Sequence, residues 1–69
     1  MESPIENTVK LWRERARMTQ EELADRAITN TKRIHLIEKG YMPDIALANR
    51  IAKALNVSTD MLFQMHKES

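Results

Sequence analysis

Residues 19–40 read TQEELADRAITNTKRIHLIEKG and contain two helix starts, one break between them and one helix stop. Thr19 followed by Glu22 is the pattern of a capping box, in which a threonine hydroxyl and a glutamate carboxylate satisfy backbone amides of the first helical turn. The first helix of this stretch, helix 2 in chain order, is therefore predicted over about residues 20–27.

A second short helix follows after a break of three residues, Ile28-Thr29-Asn30. Asn30 is a preferred N-cap residue, and Gly40 suits the left-handed backbone that commonly follows a helix. These two signals predict helix 3 over about residues 31–39. Two short helices joined in this way allow the second to stand clear of the protein body and to enter a DNA major groove.

Three further helices are predicted from the same kinds of signal. They run from the Ser3-Pro4-Ile5-Glu6 capping box to about Arg17, from Asp44 to Leu55 and from Ser58 to about His66. Apolar residues recur at helical spacing in these segments, as expected of helices that pack around one core. The sequence therefore predicts an all-α fold, a compact five-helix bundle with a helix-turn-helix, as a single domain over residues 1–69.

The composition argues against several classes of protein. The chain has 69 residues, no cysteine and two histidines, so neither a disulfide framework nor a zinc site is expected. No apolar run approaches the roughly 18 residues of a membrane span, and the N-terminus lacks a secretory signal pattern, which favours the cytoplasm and access to the nucleoid. Because the carboxylates are dispersed and there is no glycine-rich phosphate loop, we expect no enzyme, no metal and no cofactor.

Several short motifs follow one another in a fixed order along the chain. They are Thr19-Gln20-Glu21-Glu22-Leu23-Ala24, Ile34, Ile37-Glu38-Lys39-Gly40, Pro43, Ile51-Ala52-Lys53-Ala54-Leu55-Asn56-Val57-Ser58 and Leu62-Phe63. In this order and spacing they resemble the bacterial and phage helix-turn-helix family of lambdoid repressors, Cro proteins and restriction-modification controller proteins. The resemblance covers residues 7–63 and implies a DNA-binding protein whose helix 3 faces the bases.

The resemblance also implies roles for individual residues. Gln20 would contact a phosphate, with the amides of the helix N-terminus behind it. Arg13 and Glu38 would form a largely buried salt bridge that orients helix 3. The implied base-facing residues are Thr31, Lys32 and Leu36; Asn30, Arg33 and Lys39 are placed for phosphate, His35 for either, and Thr29 in the turn is a further DNA-binding candidate.

Two residues depart from the family pattern. Ile28 stands where the turn usually holds glycine, and because a β-branched residue disfavours positive φ, the turn is expected to adopt another conformation that slightly reorients helix 3. Leu36 replaces a residue that is often polar. It would contact a thymine methyl group or, alternatively, would indicate a helix 3 that binds a protein.

The predicted function is a sequence-specific DNA-binding transcriptional regulator, a repressor or controller protein that binds a palindromic operator. The formal net charge is only +1, so affinity for double-stranded DNA must come from the local placement of cations. Alternatives are an antitoxin-type autorepressor and a protein–protein interaction module. No small-molecule ligand and no membrane contact are expected.

A homodimer is expected as well. Helix 5 contains more apolar surface than one helix face can bury in so small a core, so Phe63 and Met65 are predicted to point outward and to form the dimer interface. Two copies of helix 3 about 34 Å apart would read successive major grooves.

Overall fold

The computed structural model describes residues 8–63, and this part of the chain is helical, with five helices and no strand. In chain order they are α1 (Val9–Arg15), α2 (Gln20–Arg26), α3 (Thr31–Glu38), α4 (Ile45–Leu55) and α5 (Thr59–Leu62). The predicted all-α fold is thus confirmed. None of the helices among residues 8–63 has the length and the apolar composition that a membrane span requires.

Four of the helices begin at the N-caps that the sequence predicts. In each case the side-chain oxygen accepts a hydrogen bond from the backbone N–H three residues later. The four caps are Thr19, Asn30, Asp44 and Ser58. Thr19 and Glu22 complete a capping box, since the Glu22 carboxylate also accepts from the Thr19 backbone N–H at 2.8 Å. Caps of this kind depend on neighbouring residues only, which is why the sequence predicts them.

Four helices also end in the same way, with one residue of positive φ. These residues are Arg17 (φ 60°), Ile28 (φ 59°), Gly40 (φ 116°) and Asn56 (φ 61°). The next residue in each case donates its backbone N–H back to a carbonyl five residues earlier, as Thr29 does to Ala24 at 2.9 Å. This is the Schellman arrangement, which favours glycine at the left-handed position. Here a glycine occupies only one of these four positions.

The first and last helices differ from the prediction. The Thr8 backbone N–H donates to the Leu62 carbonyl at 2.8 Å, and its hydroxyl donates to the Met61 carbonyl at 2.6 Å. Because these two hydrogen bonds hold Thr8 against α5, α1 begins at Val9. The prediction of a helix running through Thr8 is therefore wrong. The proposed capping box at residues 3–6 lies outside the described residues.

The predicted continuation of helix 5 to about His66 is also wrong, because α5 ends at Leu62. Phe63 adopts an extended backbone (φ −120°, ψ 122°), which turns its ring inward beside Leu62. Phe63 is therefore 2% exposed, and the expectation that it points away from the core is wrong. Met65 and His66 lie outside the described residues.

The core lies between α2, α3 and α4, closed by α1 and α5. Its largest fully buried side chains are Leu23, Ile34, Ile37, Ile51, Leu62 and Val9. Burying an aliphatic side chain of this size contributes about 1.5–3 kcal/mol to folding. Ile34 and Ile37 therefore hold one face of α3 against the body, which leaves the opposite face of α3 to solvent.

Candidate nucleic-acid interface

The outer face of α3 carries the predicted base readers. Ile34 and Ile37 are buried, whereas Lys32 is exposed and Leu36 is half-buried. Residues four apart on a helix lie on one face, so Lys32, Leu36 and the neighbouring His35 form a continuous outer stripe. The exposed predicted contacts are Asn30, Thr31, Lys32, Arg33, His35 and Lys39, and the half-buried ones are Gln20, Thr29 and Leu36.

The cations of this face are not neutralised by the rest of the described chain. Lys32, Arg33 and Lys39 form no ion pair among residues 8–63. The carboxylate of α3, at Glu38, is turned inward and bound elsewhere. The outer face of α3 is thus locally positive even though the chain as a whole has a formal net charge of +1. A positive surface of this kind attracts phosphate oxygens.

The salt bridge between Arg13 and Glu38 is present. Arg13 Nε donates to Glu38 Oε2 at 2.6 Å and Nη2 donates to Oε1 at 3.2 Å, while Nη1 donates to the Met18 carbonyl at 2.9 Å. The two side chains are only 11% and 6% exposed. The hydrogen bond to Glu38 raises the pKa of Arg13 against the opposing effect of burial. Arg13 therefore stays charged and fixes the C-terminal end of α3 to α1.

Gln20 joins this salt bridge, a contact that the sequence does not predict. Its Nε2 donates to Glu38 Oε1 at 3.0 Å. The amide nitrogen must be the contacting atom, because an ionised carboxylate only accepts hydrogen bonds. Among the described residues the second amide N–H and the amide oxygen have no other hydrogen-bond partner, so an N–H donor is left for a phosphate. The beginning of α2 and the end of α3 are thereby linked by one polar network.

The stretch of chain that forms α2, α3 and the turn between them lies within a match to a known family. A family model described as helix-turn-helix matches residues 9–62. The chain belongs to this family. It is also 38% identical, over 61 residues, to an uncharacterized HTH-type transcriptional regulator of Archaeoglobus fulgidus, covering 87% of this chain and 86% of that protein. The resemblance seen in the sequence is confirmed, and the family is one of DNA-binding transcriptional regulators.

The turn of this helix-turn-helix protein differs from the expectation. Ile28 has φ 59°, so the turn keeps the left-handed residue despite the β-branched side chain, and the prediction of another conformation is wrong. The backbone bond from Thr29 to Ala24 requires this conformation, and it outweighs the steric cost at Ile28.

One further contact to the turn comes from α4. Arg50 Nε donates to the carbonyl oxygen of Ala27, the C-cap of α2, at 2.8 Å. The sequence carries no signal for this contact, because 23 residues separate the two groups. An arginine on an amphipathic helix is more often simply solvated.

Proposed function

We propose that the chain is a sequence-specific transcriptional repressor or controller protein that binds duplex DNA as a homodimer, with α3 in the major groove. The observation that carries the proposal is the cationic face of α3, which forms no ion pair among residues 8–63 and lies opposite the buried Ile34 and Ile37. A groove-reading helix needs a fixed angle and outward donors, and this helix has both.

The exposed residues divide into two roles in this proposal. Thr31, Lys32 and Leu36 face base edges, where a lysine can donate to guanine O6 or N7 and a leucine can contact a thymine methyl group. Arg33 and Lys39 lie at the margins and bind phosphate. The remaining contacts are Gln20, Thr29, Asn30 and His35.

The proposed dimer uses the end of the chain near α5, as the apolar content of that segment suggests. Phe63 is buried in one chain, but it lines the floor of an apolar groove of about 250 Å³. Met42 and Ile45 also line this groove, and Ile45 is 78% exposed at the first position of α4. A second copy is the occupant that fits the function, because one α3 on a chain of formal net charge +1 has few phosphate contacts. The contribution of Met65 stays a prediction.

Selection of bound sequences from a random pool of DNA duplexes tests the proposal. We expect enrichment of two inverted half-sites spaced by about one helical turn of DNA. Binding should weaken steeply with salt, because cations that bind phosphates release counterions. Failure to enrich any sequence, together with salt-independent behaviour, would exclude the proposed function.

A second candidate is a protein–protein interaction module. The half-buried Leu36 and the exposed Tyr41 and Met42 favour it, since they place apolar surface next to the cationic face. A partner bound through these side chains would be retained at high salt, whereas DNA would be released. An antitoxin-type autorepressor uses the same DNA chemistry as the main proposal and differs from it in the gene that it controls.

A further inference from the structure

The turn between α2 and α3 is the most strained of the left-handed helix ends in the described chain. Asparagine and glycine tolerate positive φ, and the unbranched Cβ of arginine tolerates it better than isoleucine does. Ile28 is also 74% exposed, so packing offsets little of its steric cost. The backbone bond from Thr29 to Ala24 favours the left-handed turn, and a further contact to the same turn would add to its effect.

The hydrogen bond from Arg50 to the Ala27 carbonyl is placed to stabilise the left-handed turn at Ile28. The Ala27 carbonyl immediately precedes Ile28, and it is one of the acceptors that a helix end leaves without an intrahelical partner. Arg50 is half-buried, and its guanidinium brings a positive charge to the C-terminal end of α2, where the helix carbonyls carry a partial negative charge. A bond from a charged donor is stronger than one between neutral groups.

Two arginines from other helices thus bind the segment that contains the turn and α3, one before the turn and one at the end of α3. Arg13 binds Glu38 in its last turn, and Arg50 holds the residue before the turn that leads into it. Lys32 is the second residue of α3, so it lies next to the turn. Any change in the turn would displace Lys32 directly, whereas the far end of α3 would stay anchored.

We propose that Arg50 is a positioning residue for DNA recognition: its bond to the Ala27 carbonyl keeps the turn at Ile28 left-handed and so sets the angle at which α3 presents Lys32. The consequence for DNA rests on the proposed function. The conformation of the turn can be measured without DNA. The effect of Arg50 on the turn can therefore be tested separately from the proposed DNA-binding function.

The first test measures amide hydrogen exchange by NMR, on the full chain without DNA. Arg50→Met keeps the aliphatic stem and removes the donor and the charge. It should accelerate exchange of the Thr29 amide about tenfold relative to the Val57 amide, which closes the end of α4 in the same way. The matched control is Lys53→Met, which removes an exposed cation from the same helix and should change neither amide. Equal exchange of Thr29 in Arg50→Met and in the wild type would overturn the proposal.

The second test measures binding to a duplex selected from the random pool and to a random duplex. Arg50→Met should lose about tenfold in affinity for the selected duplex, with no greater loss on the random duplex than Lys53→Met shows. Adding Ile28→Gly should restore selective binding, because glycine adopts the left-handed conformation without the help of Arg50.

Equal losses on both duplexes would make Arg50 a phosphate contact and overturn the positioning role, as would the absence of rescue by Ile28→Gly. Should Arg50→Met fail to fold, Arg50→Lys retains the charge without the planar donor and should show the same selective loss. If the wild-type chain binds neither duplex, the proposed function fails, and the Thr29 exchange still decides whether Arg50 holds the turn.

Discussion

Gln20 Nε2 lies 3.0 Å from Glu38 Oε1, so the amide that the family resemblance assigns to a phosphate is held by the carboxylate that orients α3. The same carboxylate binds Arg13, and both partners of that salt bridge are nearly excluded from solvent. The salt bridge would therefore orient the Gln20 side chain before DNA binds, and little side-chain entropy would be lost when Gln20 contacts a phosphate.

Replacing Gln20 by alanine should weaken binding to selected and random duplexes by similar factors. The expected loss is about 1.5 kcal/mol for each subunit bound, the lower end for a hydrogen bond to a charged group. Because glutamine is neutral, the slope of log affinity against log salt should not change, whereas Lys39→Ala should lower its magnitude by about 0.9 for each subunit bound, or about 1.8 for the dimer. Titrations of both duplexes at several salt concentrations measure this, and a loss confined to the selected duplex would contradict the phosphate role.

Lys32→Ala should, in contrast to Gln20→Ala, change sequence preference more than general affinity for DNA. The fold should remain intact, because Lys32 is exposed and makes no ion pair in the described chain. Base preference should relax at one position of each half-site, at a cost of about 1–3 kcal/mol there. Repeating the selection with the variant identifies the position, with Lys53→Ala as the control for loss of charge. A uniform loss across all sequences would make Lys32 a phosphate contact.

The sequence predicts what depends on neighbouring residues, and it predicts less well what distant residues bring together. Thr19, Asn30, Asp44 and Ser58 cap their helices as expected, since a cap involves residues three apart. The family resemblance adds the pair of Arg13 and Glu38, which spacing alone does not predict.

The errors have a common cause in tertiary contacts. At Thr8, hydrogen bonds to α5 displace the start of α1, and at Phe63 an extended backbone buries a ring expected on the surface. At Ile28, backbone hydrogen bonds impose a conformation that the residue itself disfavours. The Arg50 contact to Ala27 lacks any local signal, because its geometry exists only once α2 and α4 have packed.

Arg13→Met should strongly destabilise the protein, because it leaves the buried Glu38 carboxylate without its cationic partner and with the neutral Gln20 amide alone as a side-chain donor in the described chain. Removing one member of a buried ion pair costs about 3–5 kcal/mol. The double variant Arg13→Met with Glu38→Gln should recover part of this loss, since no charge then remains in the site. Urea unfolding followed by circular dichroism measures the effect. Arg15→Met is the control, since Arg15 is exposed and stacks on Trp12, and a comparable loss there would contradict the role of the buried pair.

Ile28→Gly should stabilise the folded chain. The left-handed conformation costs an L-residue with a Cβ about 1–2 kcal/mol, and glycine avoids that cost while losing more backbone entropy on folding. A net gain of about 0.5–1 kcal/mol in the free energy of unfolding is expected. Ile28→Ala, which keeps the Cβ but removes the exposed apolar surface, should give a smaller change. Equal stabilities of the two variants would assign the effect to surface hydrophobicity instead of to the backbone.

The last prediction concerns the proposed dimer, and Ile45→Lys tests it without disturbing the core. Phe63 is unsuitable for this purpose, because a polar residue at a 2% exposed position would destabilise the fold itself. Ile45 lines the groove and is exposed, so a lysine there costs a single chain about 0.3–1 kcal/mol through its position at the N-terminus of α4, but would be buried without a partner against a second copy. Sedimentation at micromolar concentration should show dimerisation weakened by at least about tenfold.

Measuring the DNA affinity of Ile45→Lys distinguishes an effect on dimerisation from an effect on DNA recognition. Affinity for the selected palindrome should fall, because the two copies no longer bind as one unit. Affinity for a single half-site should stay the same or rise slightly, since a positive charge has been added. Leu11→Lys places the same charge on an exposed position of α1 outside the groove and should leave dimerisation unchanged. A wild-type monomer at all concentrations, or equal dimer affinity in Ile45→Lys and Leu11→Lys, would exclude this groove as the interface.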